Sequence, residues 1–79
     1  MAGAAWYEIW VEEQAAHPYV LLLRPAATDY EVLDPAEGYR RVFLAPSYQE
    51  AAFWLAEDEF EFAVRIVGGE ASLTPHRDR

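Results

Sequence analysis

The chain has 79 residues, 14 acidic and six basic groups for a formal net charge of −8, no cysteine, three tryptophans, five tyrosines and four phenylalanines. That excludes a large enzyme, a disulfide-stapled toxin and a zinc-thiolate module, and a hydrophobic share of 53% excludes a disordered polar chain. A domain of this size buries only about 60–65% of the surface its unfolded form exposes, so each large apolar residue left outside the core needs a reason.

Trp6 to Glu12 alternates with period two. Tyr7, Ile9 and Val11 share one face and Trp6, Glu8, Trp10 and Glu12 the other, which predicts a strand with apolar mass on both sides. Gln14 to Pro18 is a connection, and the nearly continuous apolar run Tyr19 to Arg24 has the pattern of a central strand covered on both faces. Pro25 to Thr28 supplies turn chemistry.

A third strand, Asp29 to Leu33, leads into Asp34-Pro35-Ala36-Glu37-Gly38. Proline presets φ early in the turn and glycine can take the positive φ that ends it, so a hairpin with a fourth strand, Tyr39 to Leu44, is expected. Ser47 with Glu50 three residues on is a capping box, and the apolar spacing beyond it becomes helical to about Glu57. Tyr48, Ala51, Ala52 and Leu55 form the stripe to be buried, with Phe53 opposite it and Trp54 on its flank. Phe60 to Ile66 then alternates, with Phe60, Phe62, Val64 and Ile66 expected inward and Glu61 and Arg65 outward.

The order is β-β-β-β-α-β, an α+β fold with an antiparallel sheet of four to five strands and one helix on one face. Residues 1–69 make one compact domain and 70–79 a flexible tail. A helix of about three turns is ~16 Å long and covers two or three strands, leaving one face of such a sheet open. The pattern alone leaves both faces eligible for the helix.

No stretch approaches the ~20 apolar residues of a membrane span, and Met1 to Ala5 has neither the basic nor the apolar region of a signal peptide. A cytoplasmic protein without membrane contact is expected. All basic residues are arginines (Arg24, Arg40, Arg41, Arg65, Arg77, Arg79), asparagine is absent and alanine abundant, a usage typical of GC-rich bacterial genomes. An isoelectric point near 4.5 repels phosphate backbones and argues against direct nucleic-acid binding.

Candidate chemistry is sparse. His17 and His76 lack metal-ligand spacing, so neither a metal nor a cofactor is expected; Ser47 is better used as a helix cap than as a nucleophile, and no cysteine or lysine is available for covalent catalysis. Glu12 with Glu13, or Glu31 with Asp34, could divide acid and base roles only in a pocket that shifts one of them, for which a one-helix fold has little volume. Arg40 and Arg41 point to opposite faces of a strand, and one is expected to pair with an acidic strand neighbour.

Two surface features remain. Trp6 and Trp10 share a strand face and, with Phe53 and Trp54, are candidate anchors for another chain; alternatively the helix packs on the tryptophan face. Glu57, Asp58, Glu59 and Glu61 are the densest charge cluster, either a patch for a basic partner or a solubilising helix end. The expected function is a non-enzymatic protein–protein interaction module, self-associating as a dimer or joining another protein through the exposed aromatics. The alternative is an acidic inhibitor or immunity-type protein, or a nucleic-acid mimic, that binds a basic protein surface.

Overall fold

A computed structural model describes residues 5–14 and 16–68. The expected tail, 70–79, with His76 in it, lies outside the described residues. The elements are β1 (Trp6–Glu12), β2 (Tyr19–Pro25), β3 (Tyr30–Asp34), a 3-10 turn (Pro35–Glu37), β4 (Arg40–Ala45), α1 (Tyr48–Glu57) and β5 (Glu61–Val67). The five strands form one antiparallel sheet in the order β4-β3-β2-β1-β5, with one helix, the α+β architecture expected from the sequence.

Local chemistry sets the β3–β4 hairpin. The Asp34 carboxylate accepts the Ala36 backbone N–H at 3.0 Å, Pro35 opens the turn, and Gly38 closes it in the left-handed region at φ 71°. The Tyr39 N–H then donates to the Asp34 carbonyl at 2.8 Å and returns the chain to the sheet.

At the start of α1 the Ser47 hydroxyl accepts the Glu50 N–H at 3.2 Å, as the capping pattern requires. The other end closes as a Schellman motif: the Phe60 N–H donates to the Leu55 carbonyl and the Glu59 N–H to the Ala56 carbonyl, both at 2.9 Å. Glu59 takes the left-handed position usually held by glycine, at φ 68°. Phe60 is thereby turned under the helix, beside the buried Leu55.

The helix lies on β3 and β4, on the face that carries Trp10, Leu21, Leu23, Val32 and Ala45, and these join Ala51, Leu55 and Phe60 in the core. Ala51 and Leu55 are fully buried and Tyr48 and Ala52 half-buried, so the predicted stripe is the packed one. The opposite face carries Ile9, Val11, Leu22, Leu33, Val64 and Ile66; there Leu22 and Leu33, at the sheet centre, are buried, while Val20, Leu44 and Val64 are exposed.

The clean alternation expected for β5 does not hold. The β1–β5 register shifts between Ile9 and Trp10, and this irregularity puts Phe62 opposite Trp10 and Arg65 opposite Glu8. Phe62 packs edge-on to Trp10 but stays 52% exposed because β5 is an edge strand beyond the helix, and Val64 is exposed on the other face. Arg65, expected outward, instead pairs on the helix-bearing face.

Candidate functional site

Of the four aromatics singled out as contacts, Trp10 is a core residue, 7% exposed, and cannot anchor a partner. The tryptophan face of β1 is the one α1 covers, the second of the two arrangements the pattern allowed. Trp6 is half-buried, its ring 6.4 Å from that of Tyr30 and 6.2 Å from that of Tyr48, with the Arg65 guanidinium stacked 3.9 Å from its centre. It belongs to a polar knot around Glu8.

Glu8 is 1% exposed, and three side chains donate to its carboxylate: Trp10 Nε1 at 2.9 Å, Tyr48 Oη at 2.9 Å and Arg65 Nη2 at 2.6 Å. Burial, and then the hydrogen bond to Glu8, push the Tyr48 hydroxyl above its ordinary pKa of 10.0. The hydrogen bond to Glu8 likewise raises Arg65. No buried side-chain polar atom among the described residues lacks a partner, and the knot joins β1, β5 and α1. This is how a buried charge is tolerated, and it acts on the fold rather than on a ligand.

The remaining two aromatics do reach the surface together. Phe53, on the side of α1 away from the core, is 66% exposed, and Trp54 on the flank is half-buried. Trp54 stacks on Phe43 of the edge strand β4 with centroids 4.5 Å apart and planes within 6°. Offset stacking of this kind contributes about 0.5–1.5 kcal/mol beyond area burial and holds both rings in place. Phe43, Phe53 and Trp54, with Gln49, Glu50 and Glu57, line an open groove of about 630 Å³.

The groove follows from the helical period. Residues 48, 51, 52 and 55 face the core, so 50, 53, 54 and 57, at the same i, i+3, i+4, i+7 spacing, make a second face centred away from it, with Trp54 at its edge still packed against the core. Phe53 and Trp54 were legible on that face from spacing alone. Glu50 lies on it by the same spacing but was read only as part of the helix cap, and Phe43 joins only because α1 crosses β4, a long-range packing event with no local signal.

Charge on the groove is negative throughout. Glu50 and Glu57 flank the aromatics, and neither forms an ion pair among the described residues. Asp58, Glu59 and Glu61 are exposed just beyond the C-terminus of α1, where the helix dipole adds to their field. The expected acidic patch thus borders the aromatic groove at Glu57. On the sheet, Arg24 Nε lies 2.7 Å from Glu31, and Arg41 reaches the same carboxylate at 3.6 Å, the cross-strand pairing expected of one of the two adjacent arginines.

His17 is exposed, and no group of three or more histidine, aspartate and glutamate side chains able to hold a metal ion occurs among the described residues. No helix among them is long and apolar enough to cross a membrane. Comparison with protein-family models, with curated proteins and with solved structures finds no match for this chain.

Proposed function

We propose that this chain is a small, acidic, non-enzymatic binding module, acting in the cytoplasm, that docks another protein through the groove beside α1. One observation carries the reading. Phe53 stands 66% exposed on a helix whose core stripe is already filled, beside the stacked Phe43–Trp54 pair and between two carboxylates that form no ion pair among the described residues. Aromatic side chains are enriched at binding hot spots, and rim charge selects the partner's sign and speeds encounter.

The net charge supports a basic protein surface as the partner, in the manner of an inhibitor or immunity-type protein, over a second copy. Two grooves rimmed by Glu50 and Glu57 would repel one another. Self-association is the second reading, favoured by the exposed Val20, Leu44 and Val64 on the sheet face away from α1.

The test is affinity capture from the native host with the wild-type chain and the Phe53→Ser variant, at low and moderate salt. Retention of a basic protein by the wild type, weakened by salt and lost in the variant, is the expected result. Equal capture by both chains, or a dimeric mass by light scattering with no other protein retained, would overturn it.

A further inference from the structure

The groove narrows the chemistry of its occupant, and the argument rests on the groove being the contact surface proposed above. Glu50 and Glu57 are seven residues apart on α1, two turns, so their backbone positions lie ~10.5 Å apart along the axis, on either side of Phe53 and Trp54. The floor between them is aromatic and, among the described residues, no cation lines it. A segment that satisfies both ends must present an apolar side chain flanked by two positive charges about 10 Å apart on one face.

Backbone periodicity selects between helix and strand. Same-face positions on a strand repeat every two residues, at ~6.8 or ~13.6 Å, and neither matches. Positions seven apart on a helix fall on one face at ~10.5 Å and do match. A helix laid along α1 would also put its own apolar i+3 and i+4 positions over Phe53 and Trp54.

We infer that the groove takes a basic amphipathic helix of a partner protein, with Lys or Arg at positions i and i+7 pairing with Glu50 and Glu57, and apolar residues at i+3 and i+4 packing on Phe53 and Trp54.

The experiment uses the full chain and three helix-forming peptides of about fifteen residues, alike except that positions i and i+7 are Lys, Gln or Glu. Binding is followed by NMR at the Trp54 indole and the Phe53 amide. The Lys peptide is expected to bind about three- to tenfold more tightly than the Gln peptide, the sum of two partly exposed ion pairs, with the Glu peptide weakest. The E50Q/E57Q double variant should erase the difference while keeping its fold, as judged by an unchanged spectrum elsewhere. Equal affinity for the Lys and Gln peptides overturns the charge-matched helix but leaves the docking groove standing. Absence of binding by all three overturns it as well; if Phe53→Ser still loses the native partner the binding-module reading survives, and if it does not, both fall.

Discussion

Arg65 on the edge strand β5 places its Nη2 2.6 Å from Oε2 of Glu8 on β1, 57 residues earlier, and by doing so closes the polar knot that ties β5 and α1 to the sheet. Glu8→Ala removes the one acceptor shared by Trp10, Tyr48 and Arg65. Arg65 can recover water because its side chain is half-exposed, whereas the Trp10 N–H and Tyr48 O–H recover less. The expected loss is about 2–4 kcal/mol by urea unfolding, and about half of that for Glu8→Gln, which keeps an acceptor oxygen.

Tyr48 gives this knot a pH signature. Its hydroxyl is held above 10.0 by burial and by its bond to Glu8, so the folded protein keeps a proton that the unfolded chain releases. The associated stability is complete below pH 10 and declines as pH rises from there through the folded-state value. Urea midpoints measured from pH 8 upward should fall beyond pH 10 in the wild type, and more shallowly in Tyr48→Phe.

The two aromatic neighbours Trp10 and Phe62 should separate sharply on truncation. Trp10 is buried in the core and Phe62 is half outside, although their rings touch at 5.9 Å between centroids. Trp10→Ala is expected to cost about 3–5 kcal/mol, a large part of the ~4–12 kcal/mol total of a chain this size, and Phe62→Ala about 1 kcal/mol. Thermal unfolding of both variants checks this, and comparable losses would mean that β5 is covered.

Backbone conformation predicts two changes of opposite sign at turn positions. Gly38→Ala meets no atom within 4 Å, so its cost of about 1 kcal/mol arises from the left-handed conformation alone. Glu59→Gly relieves the same strain at the end of α1, and removes a carboxylate from the negative end of the helix dipole, for an expected gain of about 1 kcal/mol. Melting temperatures should shift down and up respectively.

The β3–β4 turn and the start of α1 were legible in the sequence because Pro35, Gly38 and Ser47 act within three or four residues of themselves, whereas the left-handed turn at Glu59 carries no glycine to mark it. The facing of β1 was not. Glu8 between two tryptophans makes their face look half polar, and the groups that neutralise it, Tyr48 and Arg65, lie 40 and 57 residues away. The inward side of β5 failed for a related reason, since the register shift beside Ile9 and Trp10 changes which residues face the helix without leaving a mark in the alternation. At the candidate site the helical period exposed Phe53 and Trp54, while Phe43 entered only through the crossing of α1 over β4.

The surface used for binding can be read out directly by placing a photo-crosslinking phenylalanine analogue at position 53 and, separately, at position 20 on the opposite sheet face, and irradiating in the native host. The groove account predicts a discrete adduct with a basic protein from position 53 and none from position 20. Adducts from position 20 alone, or a crosslinked dimer from either, would contradict it.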